Sequence, residues 1–342
     1  MSGAIDKKCY SSIDLFKFIA AILVVSIHTR PFSSSPYDLD YYFTCFCRIA
    51  VPFFFIATSF FFFRREQPDI TRYTRRLFLL YLIWFLIEIP IVYNRFFVAV
   101  DNALTLQLLN FIRSLIFNNT WLASWFIMAC ILSVNIVYYL SRIMSNRQLL
   151  LLSCACYALS LLCSSYSGAF DVLLNEKWRH YHALVSLIFM PANSFILAMI
   201  YIVLGKIVAE RERIDKSSGL SKPLNMVLFF IALVIWGLEV HFIKWSVSIN
   251  DAFLFLPIVT LLGFTLLLKM ELRINQKSSF FLRSMSILVY ILHPIFTLIN
   301  TSLLELNYGI SLFFVTLLES IFVAFFIVLL SSRVPQLKWL YY

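Results

Sequence analysis

Charge is what this sequence lacks. Asp, Glu, Lys and Arg make up only 13% of its 342 residues, whereas 61% are hydrophobic and the mean hydropathy is +0.85. A soluble domain carries about 25% charged residues, so that class is excluded. Polar stretches long enough to build a second core are missing too. The longest run from about 98 to 120, 167 to 182 and 209 to 222, each too short for an independent domain. A nucleic-acid partner is excluded because the net charge of +10 is not gathered on a soluble basic face. The seven cysteines (Cys9, Cys45, Cys47, Cys130, Cys154, Cys156 and Cys163) show neither metal-ligand nor disulfide spacing. They read as small apolar packers, no metal site is expected, and only Cys45 and Cys47 stand near an oxidising face.

What is present is a series of apolar blocks of about 20 residues. They predict ten spans: 12 to 30, 43 to 63, 77 to 97, 121 to 140, 148 to 166, 187 to 208, 223 to 242, 252 to 269, 284 to 304 and 310 to 331. Backbone groups in lipid must be satisfied within their own segment, and runs this continuous do not suit the alternating strands of a barrel. The expectation is an all-α, polytopic transmembrane bundle forming a single domain over residues 1–342. With the N-terminus inside, twenty Lys and Arg residues flank the inner ends and six (Arg30, Arg95, Arg113, Lys177, Arg179 and Lys244) the outer ends. That asymmetry predicts that both termini are cytoplasmic and that the excess positive charge suits anionic lipid. Asp14 and Lys17 interrupt the first apolar run, which reads as an uncleaved anchor rather than a signal peptide.

Ionisable groups inside spans are costly, so each is a functional candidate. His28 lies near the far end of the first span and Lys17 eleven residues before it, about 16 Å along a helix. A neutral imidazole suits proton transfer near neutral pH; alternatively His28 is an interfacial histidine on a backbone carbonyl. Lys17 either serves a site or snorkels to the inner surface. Asp14 reads as a helix cap or as the i, i+3 partner of Lys17. The inner loop Arg64 to Arg76 holds five arginines and two carboxylates. It is a positive-inside flank or, because Arg72 and Arg75 share one face of a starting helix, a phosphate grip.

Several segments resemble the acyltransferase-3 family of integral membrane acyltransferases. They are Asp14-Leu-Phe-Lys17 through His28, Val51-Pro-Phe-Phe-Phe-Ile-Ala-Thr-Ser59-Phe60, Arg72-Tyr-Thr-Arg75, Trp125-Phe126, Tyr201-Ile-Val-Leu-Gly205-Lys206 and Ser286-Ile-Leu-Val-Tyr290-Ile-Leu-His293-Pro294. The resemblance implies transfer of an acyl group, usually acetyl, from cytoplasmic acyl-coenzyme A to a hydroxyl of an extracytoplasmic or membrane-linked glycan. By the same resemblance His28 stands at the essential first-span histidine, and Arg72 and Arg75 stand at the Arg-x-x-Arg motif that would hold the coenzyme's phosphates, with Lys17 beside them. Acyl-coenzyme A is thus an expected co-substrate, and no bound cofactor is expected. Two positions depart from the pattern. Lys17 replaces the usual arginine, losing its planar fork, and Ser59 replaces a glycine that packs helices closely. The lysine form resembles the membrane domains of vancomycin-resistance serine racemases, which are associated with serine uptake, and the resemblance is to their membrane part alone.

Four further residues are candidates for a pore or acceptor site: Glu88 before Pro90, Trp125, Glu239 and His293. Each has an ordinary alternative, as a buried partner, an interface anchor or, for His293-Pro294, a kink. Glu319 reads equally as a buried pair or a functional group. The leading expectation is a membrane O-acyltransferase of a bacterial cytoplasmic membrane, and the alternative is a transporter of a small polar solute such as serine. Asn118-Asn119-Thr120 would be a glycosylation acceptor only in a secretory pathway.

Overall fold

The computed structural model describes residues 10–35, 38–93, 97, 104–116, 124–168, 179–181, 183–185, 191–214, 220–244 and 252–341. The helices are α1 (Ser11–Thr29), α2 (Leu39–Cys47), α3 (Ala50–Phe63), α4 (Ile70–Tyr93), α5 (Leu104–Ile116), α6 (Ser124–Leu140), α7 (Asn146–Leu162), α8 (Phe195–Ile214), α9 (Lys222–Ile243), α10 (Leu256–Leu268), α11 (Gln276–Ser302) and α12 (Ile310–Leu330). No strand occurs among the described residues. By length and composition α1, the joined α2 and α3, α9, α11 and α12 are long and apolar enough to cross a membrane. The chain is an integral membrane protein, and its other helices are shorter or more charged. Lys7, Lys8, Cys9, Arg95, Asn118-Asn119-Thr120 and Lys177 lie outside the described residues.

The principal seam joins α1 and α11, which run parallel. Near their first turns Asp14 meets Ser279 and Arg283, and toward their far ends His28 meets His293. The end of α10 and the chain that follows it are tied to the start of α1, where Ser12 Oγ donates to Leu267 O at 2.6 Å and Ser11 Oγ to Leu272 O at 2.8 Å. Small side chains let the helices close: Ala20, Ala21, Val24 and Val25 of α1 are buried in one cluster with Leu288, Val289 and Leu292 of α11. Lipid is as apolar as these residues, so fit rather than water exclusion holds them together.

A second seam joins α3 and α8. A Cβ on Gly205 would stand 2.6 Å from Ile56 O and 2.8 Å from Ser59 Cβ, so the backbones approach only because Gly205 has none. Ser59 Oγ uses this closeness to donate to Ile202 O at 2.5 Å. The close-packing glycine absent at position 59 is therefore supplied by the partner helix.

Two features differ from the sequence expectation. The span expected at 43 to 63 is interrupted at Arg48 and Ile49, where α2 stops and α3 starts. Pro52 cannot donate the N–H that would bond the carbonyl of Arg48, and the helix breaks there. The stretch 98 to 120, read as polar, contains α5. Its Leu104, Leu108, Ile112 and Ile116 form an exposed apolar stripe, and Tyr81 Oη donates to Leu115 O at 3.3 Å to hold it on α4. Thirteen residues are too few for a span, which is why a span-length reading passes over it.

Candidate functional site

His28 occupies the last turn of α1 and His293 lies directly before Pro294 inside α11. Their ring centroids are 5.1 Å apart with planes at 42°. His293 is fully buried. Its Nδ1 lies 3.3 Å from Val289 O, and the Tyr290 carbonyl also acts on the ring. Pro294 explains the second carbonyl, because its missing N–H leaves Tyr290 O without the usual helical donor. A carbonyl only accepts, so Nδ1 carries a proton, and in the neutral ring Nε2 presents a lone pair. That Nε2 has no hydrogen-bond partner among the described residues. His28 is exposed at this end of α1. Arg48, at the break between α2 and α3, is near enough to act on the His28 ring electrostatically.

An aromatic wall stands beside the pair. Tyr290 lies 6.0 Å from His293, Phe54 and Phe126 lie 5.8 and 5.4 Å from Tyr290, and Phe55 lies 4.7 Å from Phe126. Trp125 is half-buried at the far side of this wall, 6.0 Å from Phe55. The structure thus joins His28 and His293 directly and connects Trp125 to them through three rings.

The opposite end of α1 carries charge. Asp14 is fully buried and takes Arg283 in a fork, with Nε to Oδ1 at 3.0 Å and Nη2 to Oδ2 at 2.6 Å, and also Ser279 Oγ at 2.7 Å. Lys17 pairs with Asp14 as expected, but only at 3.8 Å, with its ammonium 4.6 Å from the Phe61 ring centroid. Arg283 is the stronger partner and was not legible, because the contact links the first helix to the eleventh. Arg76 also acts on Lys17 electrostatically, so three cations gather near this end of α1. Nearby on the N-terminal flank, burial pushes the Tyr10 phenol up to about 12, against the opposing pull of Arg64, and it donates to Glu212 at 3.4 Å.

Arg72 and Arg75 are exposed on the first turns of α4. Asp69 caps that helix, its Oδ1 accepting from Arg72 N at 2.9 Å. Together with Thr71 these residues line an open depression of about 360 Å³.

The remaining carboxylates divide. Glu239 is committed to structure: Oε1 accepts from Tyr166 Oη at 2.7 Å and Leu254 N at 2.5 Å, and Oε2 from Phe255 N at 3.0 Å, capping the start of α10. Glu88 is buried in α4 and makes no hydrogen bond or ion pair among the described residues. Glu319 accepts from Asn300 Nδ2 at 2.7 Å, the pairing alternative of its two readings. Asn300 had no sequence signal, being an ordinary polar residue near a helix end.

All of this lies within residues 10–332, the stretch matched by the sequence profile of the acyltransferase domain. The chain belongs to the acyltransferase-3 family. It is similar to two amino-acid racemases of Enterococcus faecalis. One is 32% identical over 208 residues, covering 59% of this chain and 28% of the relative. The other is 27% identical over 312 residues, covering 86% and 42%. A serine/alanine racemase of Enterococcus gallinarum is 24% identical over 303 residues, covering 86% and 41%. The chain thus spans less than half the length of these relatives. No solved structure matches it. The acyltransferase-3 match takes in both histidines, the Arg-x-x-Arg pair and the buried Asp14 fork.

Proposed function

We propose that the protein is a membrane O-acyltransferase that moves an acyl group, acetyl by preference, from cytoplasmic acyl-coenzyme A to a hydroxyl of an extracytoplasmic or membrane-linked glycan in a bacterial cytoplasmic membrane. The observation that carries this reading is the open His28 ring facing a buried histidine. His28 takes the proton of the acceptor hydroxyl as its oxygen bonds to the acyl carbon. The C–S bond breaks, and the proton passes from His28 to the thiolate, releasing coenzyme A. His293, held with its lone pair outward, keeps the environment of His28 polar without adding a charge. The depression at Arg72 and Arg75, with the positive charge of Lys17, Arg76 and Arg283, suits the phosphates of the coenzyme. Lys17 and His28 share one face of α1, about 16 Å apart, so one extended thioester would bridge them.

The test uses proteoliposomes with labelled acetyl-coenzyme A on the Arg72 side and host envelope glycans on the other. Label on the glycans with free coenzyme A on the first side supports the proposal. Failure of either to appear with any acyl thioester overturns it. A second reading, transport of a small polar solute, is favoured by the relative named serine/alanine racemase. Uptake of labelled serine that is indifferent to coenzyme A thioesters would select it.

A further inference from the structure

His293, Thr297 and Asn300 fall at i, i+4 and i+7 on α11, and so on one face of that helix. Two of the three carry a buried polar atom with no hydrogen-bond partner among the described residues: Nε2 of His293 and Oδ1 of Asn300. Both residues are fully buried. Such atoms are rare in native proteins and call for a water or a ligand, the more so where lipid offers no replacement. The rest of each side chain is fixed. His293 is held through Nδ1 by Val289 O, and Asn300 Nδ2 donates to Glu319 Oε2 at 2.7 Å and to Thr316 Oγ1 at 3.2 Å. The carboxylate of Glu319 thereby sets the amide so that Oδ1, the acceptor end, is the one left open. Thr297, half-buried between them, bonds among the described residues only within its own helix, its Oγ1 donating to His293 O at 2.8 Å.

Two fixed acceptors about 10 Å apart along one helix face, the first of them beside His28, match a ligand that presents several O–H donors. We infer that this face of α11 is a hydroxyl-binding lane, with Asn300 as a specificity-determining residue positioned by Glu319. The inference rests on the transfer reading for the identity of the ligand as acceptor. It names the ligand's chemistry as a polyhydroxylated compound of the saccharide class, whose reacting hydroxyl lies at His28 while another is held at Asn300.

The lane itself is testable without acyl transfer. In a Cys154→Ser background, Thr297→Cys and Asn300→Cys are each exposed to a membrane-impermeant methanethiosulfonate reagent, with Ile299→Cys as the lipid-facing control. Labelling at 297 and 300 but not at 299, slowed by a panel of methyl glycosides, is the expected result. A lane that stays unlabelled, or labels without protection by any glycoside, overturns the inference. In transfer assays Asn300→Ala should raise the acceptor KM about tenfold and leave the acetyl-coenzyme A KM in place, and Thr297→Val should raise it about threefold. An unchanged acceptor KM, or an equal rise in both KM values, contradicts the role. Protected labelling in a protein that transfers no acetyl group would keep the lane and remove the transfer reading.

Discussion

At the residue scale, chemistry follows from which polar atoms are already satisfied. Asp14 uses both oxygens on Arg283 and Ser279, so its duty is to lock α1 against α11. Asp14→Ala should lower stability by about 1–3 kcal/mol, since Ser279 loses its partner while the half-exposed Arg283 rehydrates. Thermal unfolding in detergent is the measurement, and Asp14→Asn, which retains an acceptor, should cost less. Glu239→Gln should behave differently, weakening the cap on α10 because an amide offers one acceptor oxygen where the carboxylate offers two. The expected loss is about 1 kcal/mol with the acetyl-coenzyme A KM unmoved. His28, Lys17, Arg72 and Arg75 were legible in the sequence, because an ionisable group in or beside an apolar run stands out. The partnership of His28 with His293 and of Asp14 with Arg283 was not, because it depends on helices from opposite ends of the chain becoming neighbours.

At the element scale, backbone contact decides the seams. The approach of α8 to α3 hinges on Gly205, where a Cβ would collide with a carbonyl that has no freedom to move. Gly205→Val should destabilise the protein by about 3 kcal/mol and reduce folded yield, whereas Gly263→Ala, which meets a rotatable Phe229 ring at 3.1 Å, should cost under about 1 kcal/mol. Comparing monodisperse yield and unfolding temperature of the two variants checks this. The break between α2 and α3 was within reach of sequence reasoning, because Pro52 lies four residues after the charged Arg48 and both oppose an unbroken apolar helix. α5 was beyond that reasoning, since an amphipathic helix of thirteen residues is too short to register at span length.

At the scale of the whole molecule, the two ends of α1 divide the labour: cations around Asp14 at one, paired imidazoles at the other. The apolar blocks made an all-helical membrane protein legible from composition alone. The division between ends emerged only when α1, α4 and α11 were seen together, because no short stretch of sequence contains both a histidine and its facing partner. Arg72→Ala with Arg75→Ala should raise the acetyl-coenzyme A KM about a hundredfold, with a smaller effect on the acceptor, as loss of two charge-assisted contacts implies. The central claim, that His28 is the base of an acyl transfer, is tested most directly by coenzyme A release from labelled acetyl-coenzyme A by purified wild-type and His28→Ala protein supplied with host envelope glycans. Release and glycan labelling by wild type, with loss of both in a His28→Ala protein that still folds and binds the thioester, is the predicted result. Equal release by the two proteins would contradict it.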